Sequence, residues 1–504
     1  MKVLSKNTLL TLFLALIIFF TFISRFQNLG YSDYQGDEIK AFFNPKEDGD
    51  YFNFLLDQRK GPNQFIVTGL LKGISNNFQN YFITRFPFAL AGFLSIIVFY
   101  FVVKKLVSKE VAVYASIFFA TNGFLIAFSR IVQYQAFVIL FGLLGIFLYQ
   151  KFLETKKFWL IIVSFVSFAI SILFHYDGVF FGIPVLFWIV KDLLIAKKEG
   201  SKTYYKFLIG GIAIALSMLL AFYIPFVLNI TDKTKDYWLG RISGEVSNKI
   251  SSSYYLFTVY QPIYSIHFYL ILILLGIAFG IYHQEKKYIP ILVWALIPFI
   301  FLEGLVSIPG THIYTYLIPA MIIMGIGISK SIEFIKNLKL KIVGYVGVLI
   351  LFIFLSLQGY TIFVDHNKEY PWQEKKFLFF TLNKPTPIFH LSMFGFPYNR
   401  EWQEIGKILG ENKDDFFSTN ERVSLTRYYI ANQKDGEKAR FFVFIENPQT
   451  FTNEITNQRT KSWAGSNKPI KEIISRSGNK ILIYEIPKDF VVKNQKTETN
   501  SEEN

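Results

Sequence analysis

Residues 8–38 read TLLTLFLALIIFFTFISRFQNLGYSDYQGDE. The first part, residues 8–25, is apolar apart from hydroxyl residues and the closing Arg25. A run of that length crosses the hydrocarbon core of a bilayer as one helix. The second part, Tyr31–Glu38, is polar and carries Asp33, Asp37 and Glu38. A membrane span that delivers acids to a surface is the pattern from which the rest of the chain is read. Lys2 and Lys6 precede the run as in a secretory signal. No small-x-small cleavage site follows, so the segment is expected to remain a span.

Outward from there the pattern repeats. Ten further apolar runs are expected as spans, at about 82–103, 110–128, 133–150, 157–175, 178–196, 206–228, 263–283, 288–306, 313–332 and 341–363. The composition agrees. Of 504 residues, 52% are hydrophobic and 18% aromatic, and mean hydropathy is +0.34, which excludes a purely soluble enzyme. The expected fold is a polytopic α-helical membrane protein of about eleven spans with a small C-terminal extracytoplasmic α/β domain.

Charge sets the orientation. The net charge is +15. Residues 1–364 hold 31 Lys and Arg against 18 Asp and Glu, a net of +13. With the N-terminus in the cytoplasm, the loops on that side hold Lys104, Lys105, Lys151, Lys157, Lys197, Lys198, Lys286, Lys336 and others, 19 basic residues against 6 acids. The opposite side holds 12 of each sign, so the entire excess lies on one side, as the positive-inside rule requires. That placement accounts for the basicity without nucleic acid. It predicts a multi-pass plasma-membrane protein, N-terminus cytoplasmic, C-terminal region outside. There is no cysteine, which excludes disulfides, thiolate nucleophiles and Cys-ligated metals.

Two outer loops are long, 26–81 and 229–262. Within the first, Asn63–Gly73 (NQFIVTGLLKG) reads as an amphipathic helix at the interface. Residues 1–364 are expected to form the catalytic membrane domain and 365–487 the outer domain. There, Trp402–Leu409 reads as a helix, and Phe441–Ile445 and Ile481–Ile486 as buried strands. Residues 488–504 are polar and expected to be disordered.

The residues with chemical potential all fall in outer loops or outer span ends: Asp37, Glu38, Lys60, Arg130, His175, Tyr176, Arg241, His312 and Tyr314. Acids just above a bilayer serve as a general base, bind a metal, or are simply solvated. Lys60, beside Gly61 and Pro62, either holds a phosphate or snorkels. Arg130 sits in a short turn, where capping and function are both open. Arg85 is expected to form a structural ion pair. Two histidines and a carboxylate at outer span ends make a divalent metal conceivable. Their spacing does not support one, so no metal ligand is assigned. Cytoplasmic nucleotide sugars do not reach the outer face. An enzyme working there needs another activated donor, and a lipid phosphate serves.

The ordered set Asp37-Glu38, Lys60-Gly-Pro62, Thr84-Arg-Phe-Pro-Phe-Ala-Leu-Ala-Gly92, Ser129-Arg130 and His175-Tyr176 resembles the dolichyl-phosphate-mannose–protein mannosyltransferase family. That family shares the GT-C class with the lipid A aminoarabinose transferases. The segment Phe396-Pro-Tyr-Asn-Arg-Glu-Trp402 resembles the start of the globular part in bacterial and archaeal relatives. The resemblance implies inverting transfer from a polyprenyl-phosphate sugar to a protein, lipid or cell-surface glycan at the outer face. It implies Asp37 as general base, with Glu38 completing the acidic pair. It also implies Lys60 at the donor phosphate, with Arg130 and Arg241 as further cations. The site-lining candidates are His175, Tyr176, His312 and Tyr314. Where some relatives carry a metal-site Glu before the lysine, this chain has Arg59. The competing classes are a transporter and a lipid-linked-glycan flippase or ligase. Transporters tend to place charges at mid-membrane, which the expected spans here avoid.

Overall fold

The structure is a computed structural model describing residues 6–199, 201–243, 253, 257–263, 265–282, 288–307, 309–337, 341–384, 394–410, 416–430, 434–449 and 457–490. The tail from 491, loop positions 244–252 and 254–256, and Lys2, Lys286, Lys287 and Lys339 lie outside the described residues.

Seven helical segments are long and apolar enough to cross a membrane, from Lys6–Phe26 through Ile342–Phe363. The pair Lys109–Thr121 and Gly123–Ser129, bent by 62°, is apolar and long enough to make an eighth if it counts as one span. The bend has a local cause. Asn122 leaves helical geometry, and its side chain accepts from the Leu125 N–H at 3.1 Å to cap the second half. Three shorter apolar helices, within Trp159–Phe174, His267–Gly280 and Ile289–Leu305, stand at the remaining expected span positions. The last contains Pro298 and continues as a π-helical turn, Ile300–Leu305, because a proline inside a helix removes a backbone donor. The interior is closed by Phe99, Ile117, Val138, Ile161 and Ile322, all fully buried.

One end of the bundle is tied by charges. Lys6 pairs with Glu110, and Lys105 with Glu154 at 2.7 Å. The first span carries the chain away from that end to the acidic turn. The helix Asn63–Ile74 forms where expected. It buries Phe65, Thr68 and Leu71 and exposes Ile66, Leu70 and Ile74, an apolar stripe with helical spacing that suits an interface.

Beyond the helix Lys341–Phe363, a hairpin of β1 (Lys375–Phe377) and β2 (Phe380–Leu382) precedes a four-stranded sheet. Its strands are β3 (Phe416–Thr419), β4 (Ala439–Ile445), β5 (Lys471–Ile474) and β6 (Lys480–Glu485), in the order β3-β4-β6-β5. β4 and β6 are the strands expected from their apolar runs. The sequence reading missed β5 because it is a half-exposed edge, KEII, with only Ile473 buried. β3 pairs parallel to β4, and the crossover carries the helix Val423–Tyr429.

This C-terminal region is bonded to the acidic loop. Asp33 N–H donates to Tyr398 O at 2.9 Å, and Arg400 N–H donates to Asp33 Oδ2 at 2.6 Å. Tyr31 OH donates to Glu369, which is ion-paired with Arg400 in a fully buried cluster. Tyr34 N–H donates to Tyr429 OH at 2.7 Å.

Candidate active site

Asp37 and Glu38 are adjacent in one short helix, Gly36–Ile39, yet they face different surroundings. Successive helical residues point about 100° apart. Glu38 is fully buried. Its Oε1 and Oε2 accept from Arg85 Nε and Nη2 at 2.8 and 2.9 Å. The same carboxylate accepts from Val132 N–H at 3.0 Å and Gln35 N–H at 2.9 Å. The remaining Arg85 donors go to carbonyls of the loop, including Ser32 O at 2.8 Å. The ion pair expected of Arg85 is thus made with Glu38. Glu38, grouped with Asp37 by sequence, is a positioning residue in this geometry: it fixes the turn and does not line the large cavity described next.

Asp37 does line that cavity, whose volume is about 830 Å³. Its carboxylate is partly exposed and accepts from Lys40 Nζ at 2.9 Å. Lys60 and Arg241 share the wall, as do His175, Tyr176 and His312. Lys60 Nζ lies 4.7 Å from the Tyr134 ring and 5.4 Å from the Phe65 ring. Desolvation in this aromatic corner lowers the Lys60 ammonium to about 8, an effect opposed by the negative charge of Asp37. Gly61 explains the local sequence. A Cβ there would overlap the Leu173 carbonyl oxygen, so this close approach, which carries Lys60 to the helix end, requires glycine. Arg59 stacks over Tyr237 at 3.8 Å and is a further cation in the wall. Arg241 Nη1 donates to Tyr237 OH at 2.9 Å.

Arg130 lies elsewhere. It is 7% exposed, donates from Nη1 to Ser24 O at 2.9 Å, and lines a separate small cavity with Arg85. Tyr314 is also buried behind the large cavity, its OH donating to Asp177 Oδ2 at 2.8 Å.

Asp177 is the residue that sequence reasoning passed over, its only signal being an acid two positions after His175. It is buried and forms a hub. His312 Nδ1 lies 2.7 Å from Asp177 Oδ2. A carboxylate only accepts, so His312 donates from Nδ1. His175 Nδ1 is 3.2 Å from both the amide nitrogen and Oδ1 of Asp177, and its ring stacks on Tyr134 at 4.1 Å. One ligand atom from each of His175, Asp177 and His312 falls within 4.8 Å of the others. The donor set fits a divalent transition metal. The hydrogen bonds to Asp177 also satisfy the cluster as protein alone.

The C-terminal region supplies part of the wall: Phe394, and Ser424, Arg427 and Tyr428 of the helix Val423–Tyr429. The sequence does not reveal this, because those positions carry no motif and are more than 300 residues from the turn they face.

Residues 63–227 match the family model described as dolichyl-phosphate-mannose-protein mannosyltransferase. Among solved structures, the chain is similar to ArnT from Cupriavidus metallidurans in the apo state, with a TM-score of 0.50 at 11% identity, over 94% of this chain and 97% of that one. It is also similar to the apo oligosaccharyltransferase of Archaeoglobus fulgidus, with a TM-score of 0.47 at 11% identity, covering 84% of this chain and 64% of that one. The S. cerevisiae protein O-mannosyltransferase Pmt1-Pmt2 complex bound to the sugar donor gives 0.35 at 17% identity, over 45% and 34%. No curated protein sequence matches the chain. The chain resembles the GT-C glycosyltransferases, and its fold is the multi-pass helical fold with a small C-terminal sheet that the sequence resemblance implied.

Proposed function

We propose that this membrane protein is a glycosyltransferase that moves a sugar from a polyprenyl-phosphate donor to a hydroxyl or amine acceptor, with inversion, on the outer face of the plasma membrane. The observation that carries the reading is a single cavity whose wall holds the partly exposed carboxylate of Asp37 together with the cations Lys60, Arg59 and Arg241, Asp48 and Asp57 being the other acids on it. Asp37 takes the acceptor proton as the acceptor atom bonds to the anomeric carbon. The bond from that carbon to the phosphate oxygen breaks with its electron pair. The polyprenyl phosphate leaves as an anion, so it needs cationic stabilisation more than protonation. Lys60 and Arg241 supply it. Glu38 and Arg85 act through the turn, by holding Asp37 in place.

The basic cytoplasmic loops support an outward-facing site. The cavity also weighs against a transporter, because its charges gather at one end of the bundle and not along a mid-membrane path. His175, Asp177 and His312 would hold a divalent metal if one binds, which would add positive charge beside the phosphate.

The test is direct. Purified protein in lipid vesicles is given radiolabelled polyprenyl-phosphate sugars together with membrane extract as acceptor. Label moving from the lipid to another fraction, with loss in Asp37→Asn, supports the reading. Label that crosses the bilayer still attached to its lipid would replace it with a flippase.

A further inference from the structure

Two arginines lie buried together where the first span meets the bent pair. Arg25 is 1% exposed and Arg130 7%. Both bond Ser24: Arg25 Nη1 donates to its hydroxyl at 2.7 Å, and Arg130 Nη1 to its carbonyl at 2.9 Å. Arg25 Nη1 also donates to Ala120 O at 2.7 Å. Their neighbour Arg85 is matched by Glu38. Arg25 and Arg130 have no carboxylate partner among the described residues, and a buried charge without a counter-charge is strongly unfavourable.

Arg130 lines a cavity of about 10 Å³ together with Arg85, Gln35 and Gly395. Gln35 is 1% exposed. Its Oε1 accepts from Gly395 N–H at 3.2 Å, which fixes which end of the amide is which. Its Nε2 is then a buried donor with no hydrogen-bond partner among the described residues. Buried polar groups are nearly always satisfied, so this orphaned donor, on a residue that lines the void, points to an acceptor there. The void is the size of one water-sized sphere, too small for the four oxygens of a phosphate. The residues that line it include Arg130, a buried cation with no carboxylate partner among the described residues, which favours an acceptor that carries charge.

We infer that this cavity binds a monatomic anion, a halide, held by the Arg130 guanidinium and the Gln35 amide in the field of Arg25. Gln35 immediately precedes the helical turn that carries Asp37, so the anion braces that turn from below. The site is separate from the large cavity and does not depend on the transferase reading.

The experiment uses the full chain purified in detergent. Thermal unfolding is followed in sodium bromide or chloride against sodium gluconate at equal ionic strength. A saturable rise in apparent Tm of about 2 °C or more is expected with halide. Crystals grown in bromide should show an anomalous peak within hydrogen-bonding distance of Arg130 and Gln35 Nε2. Arg130→Met should abolish the halide effect. Should that variant fail to fold, Gln35→Leu keeps the charges and should raise the halide midpoint at least tenfold. Equal unfolding in halide and gluconate overturns the proposal, as does a water alone at that position. If undecaprenyl phosphate displaces the bromide, Arg130 belongs to a lipid-phosphate site and the separate halide site falls.

Discussion

Arg85 clasps both oxygens of Glu38, at 2.8 and 2.9 Å, with each side chain at most 1% exposed. The pair joins the start of the helix Tyr81–Leu106 to the turn that carries Asp37. It holds the turn in place from Glu38, and the chemistry proposed for Asp37 depends on that hold.

Removing one member of this pair should therefore act on folding. A buried charge left without its partner costs about 3–5 kcal/mol. Glu38→Ala and Arg85→Ala are each expected to lower the apparent Tm and the folded yield sharply. The double substitution should lose less than the sum of the two, because no uncompensated charge remains. Thermal unfolding monitored in detergent reads this, and additive losses would show that the two side chains act independently.

Asp37→Asn should behave in the opposite way. Its contact with Lys40 is a partly exposed pair, and such pairs contribute little to stability. Tm should stay near that of the parent. Transfer should fall roughly 10²–10⁴-fold, the usual worth of general acid–base catalysis. Single-turnover assays at saturating donor separate this from a binding defect, and normal turnover would remove Asp37 from the role of base.

Lys60 predicts a pH dependence. Its value is lowered to about 8 by desolvation, so the protonated ammonium that attracts phosphate is lost as pH rises through that value. Apparent donor affinity should weaken between pH 7 and 9. Lys60→Arg keeps the charge over this range and should flatten the profile. Lys60→Met should hold affinity at its weak, high-pH level throughout. A profile unchanged by either substitution would assign the titration to another group.

Orientation is tested by cysteine placement, since the chain has no cysteine of its own. Lys198→Cys should resist a membrane-impermeant thiol reagent in intact cells, and Lys434→Cys should react. The reverse pattern would turn the large cavity toward the cytoplasm and end the proposal of an outer-face site.

The sequence by itself determined the membrane class, the helix positions, the amphipathic helix expected at Asn63–Gly73 and the strands expected at Phe441–Ile445 and Ile481–Ile486. These follow from run length, helical spacing and uninterrupted apolar character, all local properties of the chain. It also singled out Asp37, Lys60, His175, Arg241 and His312, because polar residues at span ends stand out against an apolar background. Only the tertiary structure decided what each of them faces. Asp37 and Glu38 look equivalent in sequence, but one helical step turns the second into the interior against Arg85. Arg130 reads as a turn residue, yet the bend at Asn122 and the first span enclose it away from the large cavity. Asp177 reads as an ordinary turn acid, and only the approach of His312 from 135 residues away makes it a hub. Helix formation depends on neighbours a few residues apart, whereas burial and charge pairing depend on which distant surfaces the fold presses together.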